Sequence, residues 1–551
     1  MILLCTLPVL AIMVLALRYY SHMLQLSSYQ FQGYFRVLRS EKLKMLLHVM
    51  ILVLSVLAIV GLDMRNKVPL TMICGVLLLA DIVWLVVLYI PRKAKKKFVV
   101  TSRVKRLFVT YGILSILILV VPPVISKLSY GETSEFNSAD LSDVAPILVF
   151  IMMAVIYMAI LPLIPALANL INKPIELRIN KYYIDDAKRL LREHPNLRII
   201  GITGSFGKTS VKYYLTTLLS EGFSVLMTPE SYNTPMGIVR TIREHLKPTH
   251  EIFVCEMGAR HLHDIKEITD IVHPDDGILT SIGYQHLETF HSLDNIVSTK
   301  YELLDAVDEK MKTTGEPAKK HLKFVNGDNE IIRSNMKYQD AITYGLLEGN
   351  DYRATDIKVT SGGTTFVVTA PDGESCEFST KLVGRHNVEN IVGAIAAANS
   401  LGIPMSKLRI AVRRLASVPH RLELNKHGNV SILDDAYNSN PNGAKVALET
   451  LSLFENTVKI LVTPGMVELG AKEDEYNKEF GRQAAAVCDY IITVGEKNSA
   501  SIKAGALEAG FDPERLFVKN TLSEATALMY EIDAGREKVI LLENDLPDNY
   551  K

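Results

Sequence analysis

The stretch "GITGSFGKTSVK", Gly201 to Lys212, joins a short apolar run to an amphipathic one through two glycines and a Lys-Thr-Ser triplet. A strand that feeds such a turn and passes straight into a helix aims backbone N–H groups and the positive helix end at an anion. The predicted phosphate-binding residues are Gly204, Gly207, Lys208, Thr209 and Ser210. Lys208 would neutralise the β and γ phosphates of a nucleotide, and the Thr209 hydroxyl would hold Mg²⁺. The spacing departs from GxxxxGK[ST], because position 202 is Ile. A phosphate loop alone does not separate a motor from a switch or a kinase.

Outward from this loop, strand-like and helix-like stretches alternate. "LRIIGI", "FSVLMT", "EIFVCEMG", "DGILTSIG" and "KFVNGD" read as strands of a parallel sheet whose carboxyl ends carry ligands. A hairpin, "TTFVVTAPDGESCEFSTKLVG", follows with its turn at Pro371-Asp372-Gly373. After "LASVPHRLE" the alternation restarts with "VSILDDAYN", "VKILVTPG", "YIITVG", "RLFVKN" and "KVILLEN", a second α/β domain.

The first 171 residues read differently. Met45 to Leu62, Val68 to Ile90, Leu107 to Ile125 and Pro146 to Ile171 approach or reach the ~20 apolar residues that cross a bilayer, and Met1 to Leu17 is a shorter fifth run. This first run lacks the basic start and small-residue cleavage site of a secretory signal. The loop "PRKAKKKFVVTSRVKR" carries eight basic residues, whereas "KLSYGETSEFNSADLSD" carries four acidic residues against one lysine. Basic loops stay on the cytoplasmic side, so five spans put the amino terminus outside and everything after Asn172 in the cytosol. The fold class expected is an α-helical membrane domain (1–171), a P-loop central ATPase domain (172–416) and a Rossmann-like carboxy-terminal domain (417–551).

Across 551 residues the formal net charge is zero, and the five cysteines form no CxxC pair, which argues against a zinc ribbon or a disulfide framework. No nucleic-acid partner is expected. Glu256, ending "EIFVCEMG", can present a carboxylate to a metal beside the γ phosphate. His286 in "SIGYQHLETF" follows another strand and falls in the order of a shared site. Lys300 in "STKYELL" would place a second cation near Mg²⁺, which is unfavourable unless CO₂ converts it to a carbamate, which is anionic and can bind the metal.

Together, "GITGSFGKTS", "EMGARH", "SIGYQHLETFHSLDNIVSTKYEL", "GRHNVENIVGAIAAA", "PHRLE" and "DDAYNSNPNGAKVALETL" resemble the Mur ligase family, nearest its MurF type, over about residues 195 to 545. The resemblance implies an ADP-forming ligase of cell-wall precursor synthesis. A substrate carboxylate attacks the γ phosphate of ATP to give an acyl phosphate, and an amine then displaces phosphate. It further implies that Lys208 and Thr209 belong to the ATP loop, that Glu256 and His286 bind Mg²⁺ with Thr209, and that Lys300 is the lysine carbamylated in many members. His386, Asn387 and Asn390 match a segment near the nucleotide, and Arg421 an arginine beside the phosphates. Asp435 and Asn438 match the segment by which the last domain reaches the nucleotide, with Asp434 the less certain neighbour. Lys208, His286, Lys300 and Arg421 are the catalytic candidates.

Two departures bear on substrate. The family's amino-terminal UDP-sugar domain has no visible counterpart, its place being taken by the apolar runs. The ending "VILLENDLPDNYK" lacks a basic KGSR-like motif, and "VTPGMVELG" differs from a GDM-containing equivalent. The acceptor expected is therefore a UDP-linked or lipid-linked muropeptide carboxylate taking D-alanyl-D-alanine or another amine at the inner membrane face of a bacterium, in contact with membrane lipids. Alternatives are a different lipid-linked or polymeric carboxylate, or a non-catalytic nucleotide sensor. A transporter has only Asp81 among the spans to support it.

Overall fold

A computed structural model describes residues 2–63, 68–90, 97–131, 139–314, 320–360, 362–436, 439–532 and 535–545. The chain divides into two compact units, Met1–Asn180 and Lys181–Leu546.

The first unit is helical. Each apolar run lies on helix: Ile2–Leu26, Lys42–Asp63 and Val68–Tyr89 carry the first three. The fourth falls on Ser102–Leu119 and Val121–Gly131, the fifth on Ala139–Ile160 and Ile164–Arg192. Among the described residues two helical stretches, Ser102–Ser129 and Ala145–Arg192, are long and apolar enough to cross a membrane, and Gly75–Tyr89 is a shorter apolar helix. Two is fewer than the five spans expected from the sequence.

This unit has an apolar core, with Ile12, Leu24, Ile51, Leu85, Leu107 and Leu161 buried, and hydrogen-bonded polar groups set within it. Its interior holds a hydroxyl and imidazole chain: Tyr20 and Tyr89 share a 2.7 Å hydrogen bond, and His48 bridges Tyr89 (2.8 Å) to the Met158 carbonyl (2.7 Å). Ser21 pairs with Tyr111 and Ser115 with Tyr157. Its outside is apolar, with Val76, Leu79, Val83, Trp84, Val109 and Leu128 among the exposed side chains. Such an outside, if wetted, has no favourable term to offset it.

The second unit contains two sheets. The first uses β1 (Arg198–Thr203), β2 (Val225–Met227), β3 (Ile252–Glu256), β4 (Asp276–Leu279), β5 (Lys323–Asn326), β6 (Ile342–Gly345), β7 (Tyr352–Thr360), β8 (Gly363–Thr369) and β9 (Ser375–Thr380) in the order β2-β3-β1-β4-β5-β6-β7-β8-β9. It is parallel as far as β7, and β7-β8-β9 is an antiparallel meander that contains the expected hairpin. β1 and β3 are buried along nearly their whole length, as strands covered on both faces must be. One face packs on helices Lys208–Leu219 and Arg385–Ser400 through Val211, Leu215, Val388 and Ile391; the other packs on Asp264–Val272 and Leu293–Thr314 through Ile265, Ile268 and Leu303.

The second sheet uses β10 (Glu423–His427), β11 (Val430–Asp435), β12 (Val458–Thr463), β13 (Tyr490–Val494), β14 (Leu516–Lys519) and β15 (Lys538–Glu543), ordered β10-β11-β15-β12-β13-β14. Only β10 runs antiparallel to its neighbour. In the first sheet, register sets Ile202 beside Glu256 and Thr203 beside Leu279, so the carboxyl ends of β1, β3 and β4 open on one edge. Phosphate loop, carboxylate and the Thr280–Ser281 segment are thereby adjacent.

Candidate functional site

After Thr203 the chain turns through Gly204 (φ +154°) and Gly207 (φ +82°) into helix Lys208–Leu219. A Cβ at Gly204 would lie 2.1 Å from Thr280 Oγ1, and one at Gly207 2.6 Å from Asn390 Oδ1, so both positions need glycine for space as well as for φ. The segment after β4 braces the loop. Ser281 Oγ accepts from the Phe206 N–H at 2.8 Å, Thr280 Oγ1 donates to the Phe206 carbonyl at 2.6 Å, and Ser205 N–H donates to the Ser281 carbonyl at 2.8 Å. The result is an open cleft lined by Ser205 to Ser210, Gln285, Arg421 and Asn440. Arg421 and Asn440 come from the second α/β domain.

Lys208 Nζ donates to two carbonyls of its own loop, Gly204 (2.6 Å) and Ser205 (3.1 Å). Burial pushes its pKa down to about 8; Glu256 pulls it up and Arg421 adds to the lowering. Glu256 is 1% exposed at the end of β3. Its Oε1 accepts from Thr209 Oγ1 and from Asn233 Nδ2, each at 3.1 Å, and Oε2 lies 3.1 Å from the ammonium of Lys212. Lys212, 0% exposed, is thus the buried counter-charge of Glu256. Neither Lys212 nor Asn233 was among the sequence candidates, for no local motif marks them.

The donor chemistry at Thr209 and Glu256 fits magnesium, a hard cation that takes one or two protein oxygens and completes its shell with phosphate and water. Among the described residues no group of three or more His, Cys, Asp or Glu side chains is placed to hold a metal by itself.

His286, with a left-handed backbone (φ +52°), directs Nδ1 to Oε2 of Glu468 in the second α/β domain. Burial lowers its pKa, opposed by Glu468 and reinforced by Arg260 and Lys300. Lys300 is 3% exposed in helix Leu293–Thr314, and its ammonium makes no hydrogen bond or ion pair among the described residues. Burial, then the charge of Lys208, hold its amine well below the ordinary lysine range, while Asp264, Glu302 and Glu256 oppose.

The remaining candidates divide. Asn390 abuts Gly207 and so reaches the loop. His386 packs on Gly384, its Nδ1 is buried without a hydrogen-bond partner among the described residues, and burial pushes its pKa down to about 4. Asn387 turns inward instead: it accepts from the Tyr214 hydroxyl at 2.7 Å, donates to the Val383 carbonyl at 2.9 Å, and is 4% exposed. Asp435 ends β11 beside Glu543, accepts from the Leu422 N–H at 3.2 Å, and feels Arg421. Asp434 pairs with His420 at 2.8 Å. Asn438 lies outside the described residues.

Sequence reading missed Ser205, Phe206, Gln285 and Asn440 in the cleft, and Glu468 beside it. Asn440 did leave a signal, Asn-Pro ahead of an amphipathic stretch: its Oδ1 caps helix Pro441–Ser452 at the Gly443 N–H, 3.0 Å away.

A P-loop α/β domain whose phosphate cleft is completed by an arginine of a second α/β domain defines a two-domain nucleotide-dependent enzyme. Residues 202–398 match the Mur ligase middle domain and residues 420–543 the Mur ligase glutamate ligase domain. The UDP-N-acetylmuramoyl-tripeptide–D-alanyl-D-alanine ligase of Bacillus subtilis (strain 168) is 32% identical over 333 residues, 60% of this chain and 69% of the relative. That of Escherichia coli (strain K12) is 28% identical over 360 residues, 62% of this chain and 76% of the relative. The crystal structure of MurF ligase from Thermotoga maritima in complex with ADP superposes with a TM-score of 0.58 at 25% identity, covering 66% of this chain and 80% of that one. MurF from Acinetobacter baumannii gives a TM-score of 0.59 at 24% identity, covering 67% and 78%. The chain belongs to the Mur ligase family, and its activity is that of an ATP-dependent ligase.

Proposed function

We propose that the protein forms an amide bond on a muropeptide carboxylate, adding D-alanyl-D-alanine or a related amine, from a position at the cytosolic face of the bacterial inner membrane. The observation that carries the chemistry is the cleft in which Lys208 and Thr209 of one domain meet Arg421 and Asn440 of the other. A carboxylate oxygen attacks the γ phosphorus of ATP and ADP leaves. The amine nitrogen then attacks the acyl carbon, phosphate leaves with the bonding pair, and the amine proton passes to solvent.

Lys208 exchanges its loop carbonyls for phosphate oxygens and Arg421 adds charge from the opposite wall, each stabilising negative charge as it develops. Thr209 and Glu256 hold magnesium, which when bound supplies charge neutralisation at the phosphates. Burial holds the Lys300 amine well below the ordinary lysine range, which favours the form that adds CO₂; as a carbamate it would supply an anion beside the cations Lys208 and Mg²⁺. Asn390 abuts the loop at Gly207, and apposition of the two domains excludes water from the acyl phosphate.

Five apolar runs in the sequence and exposed apolar side chains on the described helices support a multi-pass anchor over residues 1–171, with the central domain taken as 172–416 and the last as 417–551. Tethering raises the effective concentration of an acceptor held in the same membrane, which favours a lipid-linked carboxylate. Detergent-purified protein, wild type beside Lys208→Ala, is to be assayed for phosphate release with D-alanyl-D-alanine and either UDP-muramoyl tripeptide or its lipid-linked form. Lys208-dependent release with one acceptor supports the ligase and identifies the carrier. Release that needs neither acceptor nor amine overturns it in favour of a nucleotide sensor.

A further inference from the structure

Two residues with left-handed backbones, one from each α/β domain, meet across the interdomain cleft: His286 (φ +52°) and Glu468 (φ +65°). Non-glycine residues hold such conformations only where the surroundings impose them, and they gather at functional sites. Glu468 Oε2 contacts His286 Nδ1, while Oε1 lies 3.8 Å from Arg260 Nη1. The contact sits within a broader seam. The Glu468 carbonyl accepts from the Glu288 N–H at 3.4 Å, Lys472 lies over the Tyr284 ring at 5.5 Å, and Tyr284 and Tyr476 pack with centroids 6.0 Å apart.

A carboxylate can only accept, so the proton of a neutral His286 must stand on Nδ1 and the lone pair on Nε2. We propose that Glu468 is a positioning residue: docking of the second domain fixes His286 in the Nδ1–H tautomer, making its Nε2 available as a metal or phosphate-site ligand only in the closed arrangement. Glu468 is 182 residues away and in the second domain, so this hydrogen bond forms only when the two domains are together. A carboxylate behind a ligating histidine orients the ring and raises its basicity, and its loss costs about 10–100-fold in metal affinity.

This rests on His286 belonging to the ATP and metal site. The test uses full-length protein in detergent with Mn²⁺ and a non-hydrolysable ATP analogue, free Mn²⁺ being read by electron paramagnetic resonance, for wild type, E468A, E468Q, H286A and E468A/H286A. The expected result is a loss of about 10–100-fold in Mn²⁺ affinity for E468A. E468Q should stay within about threefold of wild type, because its amide oxygen still accepts from Nδ1–H. The double variant should be no weaker than H286A. Wild-type affinity in E468A, or losses that multiply in the double variant, overturn the proposal alone. Wild-type protein that binds no Mn²⁺ with the nucleotide overturns the metal-site reading and this proposal together.

Discussion

Asp435 and Glu543 are register partners on the parallel strands β11 and β15, and two carboxyls therefore stand side by side at a buried sheet edge. Glu543 is 0% exposed, and the Ser439 hydroxyl donates to its Oε1. Burial raises both groups: Asp435 is pushed up to about 6, with Arg421 opposing, and Glu543 stands well above the carboxylate range, raised further by Asp435.

Because the folded state favours the protonated pair, its contribution to stability is complete below the unfolded values near 4 and is lost as pH rises through about 6. Glu543→Gln keeps the hydrogen bonds without the charge. It should raise stability at pH 8 by about 1–3 kcal/mol and leave it nearly unchanged at pH 4. Urea melts of both proteins at the two pH values check this; a variant equally or more destabilised at pH 8 contradicts it.

Removing the Lys208 ammonium strips the cleft of one of the two cations that line it, Arg421 being the other. Lys208→Ala should lower ATP turnover by about 10²–10³-fold, the cost typical of deleting one preorganised charge-stabilising donor. Thr209→Ala should weaken Mg²⁺–ATP more than ATP alone. Titrations with and without Mg²⁺, followed by calorimetry, separate these effects.

A buried Lys300 whose amine is held well below the ordinary lysine range should take up CO₂. In ¹³C-bicarbonate the wild-type protein should show a carbamate carbon resonance that Lys300→Ala lacks, and activity should fall when dissolved CO₂ is stripped. An identical spectrum for both proteins would refute carbamylation.

At Gly204 added bulk meets Thr280 Oγ1 at 2.1 Å and the Ser281 backbone nitrogen at 2.9 Å. Gly204→Ala should destabilise the central domain by about 1–3 kcal/mol, through strained φ and the clash. Thermal unfolding without nucleotide is the measure, since the penalty is present before any ligand binds.

The single tryptophan, Trp84, is 58% exposed on the apolar helix Val68–Tyr89. In bilayers its fluorescence should be quenched by brominated acyl chains and little affected by aqueous iodide. The reverse pattern would remove that helix from the membrane.

Each sequence stretch read as a strand contains one, from β1 in "LRIIGI" to β15 in "KVILLEN", because period and turn residues are local signals. β6, β7 and β10 were not read. β10, "ELNKH", is polar and lies at a sheet edge, where pairing rather than burial creates the strand. The site was legible where it is contiguous, in the loop and at strand ends. Asn387 shows the limit: His386 and Asn390 are four apart on one side of helix Arg385–Ser400, while Asn387, one step of about 100° further round from His386, falls among its buried residues. Glu468 could not be found locally, since its meaning comes from a contact 182 residues away.

The two carbonyls that Lys208 grips also make the loop a threshold device. An arriving ligand must outcompete bonds of 2.6 and 3.1 Å that already satisfy the ammonium, and an uncharged nucleoside brings nothing to exchange for them. Selectivity then rises with the number of phosphate groups, so adenosine should be excluded far more strongly than its smaller size alone would suggest.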